Sequence, residues 1–432
     1  MVDQPNSERR RFLQTAGATA AAVVAAPNIL RGVEVQDDPV RVGHIGTGTR
    51  GWDLIRRGTG VSPLAKVVAV CDVYKPHVER AVKVAQNDEV KTYANYQDLL
   101  ADKDVEAVVI ATPDHWHEKM VLDAVAAGKA VYCEKGLTMS VEAAKNMRTA
   151  VKKAGTVFQL GHQGRQYPAY EAAGKMIRDG EIGPVTLIKT GRYFNGSLER
   201  PPWRWYGYYS EYLRPNPKQV LTDVDWEKWL GPAPQIDFNE RHFWHWRCYW
   251  PYGTGQAGDL LSHELDQVQC TLRWGIPDTC MCLGHNAHFH DDREVPDTWL
   301  TSYTFEKHNC SLTFEGCMNS RRQQPPEYIG KNGRIIFNQI GQNASRFSVY
   351  NDGPAYPHMH REPMKPRHDF DPKTAPRWSN HMEDFLNCVR TGETPRCHID
   401  EAFIEVVTYL MSVESYRQQR LVRWDAEQEQ IV

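Results

Sequence analysis

Long apolar runs are missing from this chain. None of its 432 residues sits in a stretch approaching the roughly 18 to 20 apolar positions of a membrane-spanning helix, so no membrane span is expected. Excess charge is missing too: 51 basic residues stand against 54 acidic ones, net −3, which leaves no electrostatic footprint for nucleic acid. The ten cysteines are scattered, with neither a disulfide framework nor a C-x₂-C zinc pattern. Cys280 and Cys282 alternate within a strand pattern and should share a face, while an oxidising compartment leaves a pair such as Cys388 with Cys397 open. No period of about 20 to 50 residues repeats, which excludes a solenoid.

What the chain has is length. Single cores stop growing near about 250 to 300 residues, so two domains are expected. Residues 1–37 read as a leader and linker, because Arg9-Arg10-Arg11-Phe12-Leu13 has the R-R-x-F-L look of a twin-arginine signal and a small, mildly apolar run extends from Ala16 to Ala26. That predicts Tat export and a periplasmic or otherwise extracytoplasmic location. A disordered basic tail with an alanine-rich helix is the plainer alternative.

The stretch from Val40 to Gly51 organises the rest of the chain. A β-branched run ends in Gly46-Thr47-Gly48-Thr49-Arg50-Gly51 and passes into a helical pattern from Trp52, filling the G-x-G-x-x-G frame of a dinucleotide site. Gly46 allows the tight turn, Gly48 lets a pyrophosphate approach bare backbone, and Gly51 lets the helix pack close to the sheet. The next strand ends in Asp72, at the spacing of about 20 residues expected for an acid on the ribose hydroxyls. A carboxylate there favours NAD over NADP; Lys75 nearby softens the preference and leaves NADP open.

Strands and helices alternate from Val40 to Gly161, which implies a doubly wound parallel sheet over residues 38–162. Ligands bind at the carboxyl ends of such strands. Two ends carry chemistry: Thr112-Pro113-Asp114-His115-Trp116-His117, and Glu134-Lys135-Gly136. His117 either faces the nicotinamide or caps the following helix. The Lys135 ammonium can hydrogen-bond a substrate oxygen, or it can simply pair with Glu134 or a phosphate.

Further on, Gly258 to Trp274 reads as a helix in which Asp259, His263 and Asp266 fall on nearly one face. A carboxylate orienting an imidazole is a recurring base arrangement, and a surface pair on a helix is the bland reading. Together with the glycine loop, Thr112-Pro113, Glu134-Lys135 and Gly164-Arg165-Gln166-Tyr167-Pro168, this resembles the glucose-fructose oxidoreductase, inositol dehydrogenase and MocA (Gfo/Idh/MocA) family, over nearly all of the chain from about residue 40. The resemblance implies a Rossmann domain followed by an α+β domain with an open, largely antiparallel sheet used in subunit pairing. It also implies Lys135, His263 and Asp259 as catalytic residues, and Gly46 to Gly51, Asp72, Thr112, Pro113, His117, Glu134 and Lys135 around the cofactor. Arg165, Tyr167, Asp266 and Trp246 become substrate candidates. The chain departs from the family at Gly136, where proline is usual, and at Leu261, where glycine is common.

Residues 163–432 are expected to form the second domain, to which the resemblance assigns substrate binding and which is expected to assemble into a homodimer or homotetramer. Its strand patterns are Val185–Tyr193, Cys280–Phe289, Thr298–Phe305, Ser311–Gly316 and Arg334–Phe337. An insertion over 193–256 holds seven of the thirteen tryptophans. Their flat faces suit sugar rings, or serve a small separate core or a subunit interface. A proline-rich arm spans 351–378. His285, His288 and His290 invite a metal, but on a strand His285 points away from the other two, so no metal is expected.

The function expected is oxidation of a hydroxyl on a sugar, polyol or sugar derivative, with NAD as the hydride acceptor. Export adds a constraint, because free NAD is scarce outside the cytoplasm: the cofactor must stay bound and be recycled within turnover. Coupled oxidation of one sugar and reduction of another satisfies this, as does a redox-neutral glycosidase or lyase working through a transient keto-sugar. A non-catalytic periplasmic sugar-binding protein is the alternative from another class.

Overall fold

The computed structural model describes residues 38–195, 223–322, 324–338, 345–352, 365–375 and 379–432. The twin-arginine stretch, Trp203, Trp205 and most of the proline-rich arm lie outside the described residues.

All but one edge strand of the first sheet are largely buried on both faces, as a sheet covered on both sides requires. β1 (Val40–Ile45), β2 (Ala65–Cys71), β3 (Lys91–Tyr93), β4 (Ala107–Ile110), β5 (Ala130–Cys133) and β6 (Phe158–Leu160) pair in the order β3-β2-β1-β4-β5-β6, all parallel. This is the doubly wound order whose switch point, between β1 and β4, opens the ligand crevice. Helices α1 (Thr49–Leu54), α2 (Lys75–Val84), α3 (Tyr96–Ala101), α4 (His117–Ala126) and α5 (Val141–Ala154) connect the strands. α5 is capped at both ends: the Ser140 side chain accepts from Ala143 N at 3.2 Å, and Gly155 ends the helix at φ +64°. The helix expected to begin at Trp52 begins three residues earlier and passes at Ile55 into a π-helical turn.

After α6 (Pro168–Arg178) the chain builds a ten-stranded mixed sheet. β7 (Val185–Tyr193), β8 (Thr279–His285), β9 (Thr298–Phe305), β10 (Cys310–Cys317), β11 (Glu327–Gly330), β12 (Gly333–Phe337), β13 (Phe347–Asn351), β14 (His368–Asp369), β15 (Val422–Asp425) and β16 (Gln430–Ile431) contribute, and β7 with β10 is the parallel pair in an otherwise antiparallel set. β8 stops at His285, so His288 and His290 lie in the following loop and strand alternation does not govern them. Cys280 and Cys282 are buried on one face of β8 as expected, whereas Met281, Leu283 and Leu300 stand exposed on the other. All ten cysteines, Cys388 and Cys397 included, are free thiols.

Between β7 and β8 lie α7 (Trp226–Leu230), α8 (Glu240–Trp244) and α9 (Ser262–Leu272); α10 (His381–Thr391) and α11 (Ile399–Gln418) close the domain. Asn380 and Glu383 form a reciprocal capping box at the start of α10. Among the described residues no helix is long and apolar enough to cross a membrane.

Candidate active site

The glycine loop works by what a side chain would strike. Gly46 has φ +80°, and a Cβ there would lie 2.9 Å from the Ala111 backbone. At Gly51 a Cβ would fall 2.0 Å from the Gly46 carbonyl oxygen, so the helix can approach the strand end only with glycine. Gly48 is different. A Cβ there would make only an ordinary contact with the His77 ring, at 3.5 Å, at the edge of an open space. That space is a cavity of about 330 Å³ along the carboxyl ends of the strands, lined by Gly46, Gly48, Thr49 and Arg50. A dinucleotide fits this cradle, because the open side of Gly48 is where a pyrophosphate needs bare backbone.

Asp72 marks one end. Its Oδ2 accepts from Thr47 N at 2.7 Å and its Oδ1 from Tyr74 N at 2.9 Å, with His77 Nδ1 3.3 Å from Oδ2. Burial pushes this carboxyl up, but His77 and the two backbone N–H groups outweigh burial and hold it below the usual range. Lys75 does not reach the cavity; it is exposed and 3.9 Å from Glu79, and His77 takes the place beside Asp72. The described part of the aromatic insertion packs here as well. Trp229, Phe243 and Trp244 line the cavity near Asp72, Asp225 N donates to Val73 O at 2.9 Å, and Trp116 Nε1 donates to Trp229 O at 2.8 Å. These rings therefore face the nucleotide end. Trp246 differs from them, lining the cavity toward Lys135 and stacked under Arg247 at 4.0 Å.

The other end is charged. Lys135 Nζ donates to Asp259 Oδ1 at 2.6 Å and to Asp259 O at 3.0 Å, and Arg247 Nε donates to the same Oδ1 at 3.1 Å. The carboxylate expected to orient His263 is thus anchored to two cations. Asp259 itself belongs to the π-helical turn Ala257–Leu261 that runs directly into α9, the helix of His263 and Asp266. Glu134 Oε1 accepts from Arg50 Nε at 2.8 Å, so Glu134 pairs with the glycine loop rather than with Lys135. A Cβ at Gly136 would come 3.2 Å from Gly258, and Leu261 is fully buried.

Several expected residues stand elsewhere. His117 is wholly buried, its Nδ1 2.9 Å from Gly136 O and its Nε2 3.0 Å from Thr112 O, so it ties the turns after β4 and β5 together behind the cavity wall; Thr112 and Pro113 do line the cavity. Arg165 and Asp266 are buried against each other at 2.5 Å, with Glu401 3.0 Å from the same guanidinium. Tyr167 precedes α6 and packs edge-on against Tyr170. His263 Nδ1 lies 3.2 Å from His162 Nδ1.

Residues to which the sequence assigned no role complete the site. Asp114 lies against the backbones of Gly136, Gly253 and Gly258; burial lifts its carboxyl to about 7, with Asp259 adding and Arg247 and Lys135 opposing. Arg247 and Glu405 carry no local signal, since neither sits in a motif. Among the described residues the one group with metal-ligand spacing is His162, Asp266 and Glu405, a different set from the histidines at 285, 288 and 290.

The comparisons with known proteins agree with this geometry. A family model described as an oxidoreductase family with an NAD-binding Rossmann fold matches residues 40–162, and a second, the C-terminal alpha/beta domain of the same family, matches 198–432. Inositol 2-dehydrogenase 1 of Saccharopolyspora erythraea is 39% identical over 34% of this chain and 44% of its own length. The inositol 2-dehydrogenase of Klebsiella pneumoniae is 36% identical over 35% of this chain and 44% of its own, so the chain spans less than half the length of these curated relatives. Among solved structures, the aldose-aldose oxidoreductase of Caulobacter crescentus superposes with TM-score 0.64 at 18% identity, over 89% of this chain and 99% of the other. The WlbA dehydrogenase of Bordetella pertussis, in complex with NADH and UDP-GlcNAcA, gives 0.66 at 16% identity over 90% and 98%. At such identities the likeness is one of fold, whereas the two family models together span most of the sequence, and the chain belongs to the Gfo/Idh/MocA oxidoreductase family.

Proposed function

We propose that this chain is an NAD-dependent oxidoreductase acting on a hydroxyl of a sugar, polyol or sugar derivative, with a cofactor that stays bound and is recycled within turnover. The observation that carries this reading is the Lys135–Asp259–Arg247 cluster at one end of a cavity whose other end is the glycine loop and Asp72. Bound NAD supplies the hydride acceptor. The loop from Gly46 to Gly51 holds the pyrophosphate and Asp72 the ribose hydroxyls, which favours NAD over NADP. The Lys135 ammonium, oriented by Asp259, stabilises the substrate oxygen as charge develops on it, and His263 takes the hydroxyl proton.

Retention of the cofactor is supported by the insertion, which lays Trp229, Phe243 and Trp244 along the nucleotide end. It also suits the twin-arginine leader, since a Tat substrate folds where NAD is available before it reaches an extracytoplasmic compartment. A neighbour named an aldose-aldose oxidoreductase favours coupled oxidation and reduction of two sugars over net oxidation. The exposed Met281, Leu283 and Leu300 on the outer face of β8 and β9 give a second copy an apolar surface to pair with, for a homodimer or homotetramer.

The test is to incubate purified holoprotein with a panel of sugars and follow both the absorbance of bound nicotinamide and product formation. Reversible reduction of the bound nicotinamide, with a lactone or keto-sugar formed in step with an alditol, supports the proposal. Glycosidic cleavage with no net redox change moves the assignment to a redox-neutral glycosidase or lyase. Sugar binding with neither change makes the chain a binding protein.

A further inference from the structure

Behind His263 lies a buried polar group for which the proposed reaction has no use. His162 Nδ1 faces His263 Nδ1 at 3.2 Å, and the other ring nitrogen of His162 is 2.6 Å from Glu405 Oε2 on α11. The two rings meet edge-on with centroids 5.1 Å apart. His162 and Glu405 are both sealed from solvent, and burying a charge this deeply is costly unless it is paired. The groups facing His162 among the described residues are Glu405 from α11, Asp266 and His263 from α9, Arg165 from its own turn, and His381 from α10. Burial pulls the His162 imidazole down, but the carboxylates of Glu405 and Asp266 outweigh it and hold it above its usual range. Burial keeps His381 neutral, near 3.

The spacing of His162, Asp266 and Glu405 would also admit a metal ion. Charge argues for a proton. The Arg165 guanidinium, 2.5 Å from Asp266, already supplies the cation that this carboxylate needs. When His162 takes up a second proton it closes with Glu405 as a neutral pair of one imidazolium and one carboxylate.

We propose that Glu405, His162 and His263 form a proton store that lets His263 act as base and as acid in alternate halves of one turnover, an inference that rests on the function proposed above. Only one proton fits between two Nδ1 atoms 3.2 Å apart. When that proton is on His263, its Nε2 carries a lone pair and can take the hydroxyl proton as the hydride leaves carbon. The Nδ1 proton then passes to His162, whose positive charge sits beside the Glu405 carboxylate. His263 is left neutral with a proton on Nε2, ready to return it to the alkoxide in the reducing half. No net proton enters or leaves, which is what a cofactor recycled in place requires. His162 and Glu405 touch neither substrate nor cofactor; they are positioning residues that act through His263.

The test compares holoprotein of wild type, Glu405→Gln and His162→Gln in the two halves separately: reduction of the bound nicotinamide by glucose, levoglucosan or myo-inositol, and its reoxidation by fructose or L-sorbose, each across pH. Removing the Glu405 charge lowers the proton affinity of the histidine pair. Glu405→Gln should therefore move the acid limb of the oxidising half to lower pH by about one unit or more, and slow the reducing half at neutral pH by about tenfold or more. His162→Gln should make His263 titrate alone. Equal slowing of both halves with the limbs unmoved would mean mere packing and overturn the store. Wild type that no sugar reduces would defeat the parent reading instead, and ¹⁵N-histidine spectra of the wild-type holoprotein then decide this inference. Joint titration of His162 and His263 as one proton supports it. Independent titration, or zinc retained at the cluster, refutes it, and the same spectra serve if a variant does not fold.

Discussion

The two ends of the cavity are held by different means. At the nucleotide end backbone does the holding: Gly46 and Gly51 are glycines because carbonyl groups stand where side chains would be, and Asp72 is fixed by the N–H groups of Thr47 and Tyr74, each just past a strand end. At the reacting end side chains hold one another, with Lys135 from the turn after β5, Arg247 from the insertion and Asp259 from the π turn before α9 sharing one carboxylate. The difference teaches where each end is vulnerable. A change of shape should break the first, and a change of charge should break the second.

The largest effect should come at the charged end. Lys135→Met and His263→Ala should each cut turnover by about 10²- to 10⁴-fold while the dinucleotide still co-purifies, measured by single-turnover absorbance alongside cofactor content after denaturation. Loss of cofactor in Lys135→Met would instead assign that lysine to the nucleotide grip.

Next in size is a pH dependence at the same end. The Asp114 carboxyl, ordinarily near 3.8, is lifted by burial to about 7, so the stability it contributes is full below its unfolded value and is lost as pH rises through about 7. Asp114→Asn should flatten that slope between about pH 4 and 7, and urea unfolding should show the variant gaining on wild type by a few kcal/mol at the upper pH. An unchanged slope would mean that Arg247 and Lys135 keep Asp114 ionised.

The backbone end gives a sharper contrast at smaller magnitude. Gly51→Ala forces a Cβ to within 2.0 Å of a carbonyl and should destabilise the fold by about 1 to 3 kcal/mol. Gly48→Ala has room in the protein alone, so unfolding should be within about 0.5 kcal/mol of wild type while dinucleotide binding weakens in calorimetry. Equal effects of the two on stability would undo the distinction between the ends. The smallest change is Asp72→Ser, which should narrow the preference for NAD over NADP by about tenfold, one lost hydrogen bond to a charged group, in paired titrations.

Legibility in the sequence divides along the same line. The glycine loop, Asp72 and the parallel sheet can be read because each follows from a local pattern or a fixed spacing along the chain. The reacting end can be read only in its parts. Lys135 and Asp259 come together across 124 residues, and nothing local announces that Arg247 will join them. Helical spacing suggests that Asp259 faces His263, but the π turn in which Asp259 sits, and its meeting with Lys135, are invisible to any periodicity of 3.6. The sequence leaves His117 between facing the nicotinamide and capping a helix, and both ring nitrogens meet backbone carbonyls that only the fold brings near. The insertion is visible as a concentration of tryptophan, but not that Trp229 and Trp244 lie at the nucleotide end.

The most direct measurement of the central claim is a single-turnover experiment on freshly purified protein with no added cofactor. The account predicts that a dinucleotide is already bound, that one sugar of a panel converts it to the reduced form, and that a ketose returns it to the oxidised form with the dinucleotide still on the protein. Protein that purifies without a dinucleotide and binds neither NAD nor NADP, or bound NAD that no sugar reduces, would contradict it.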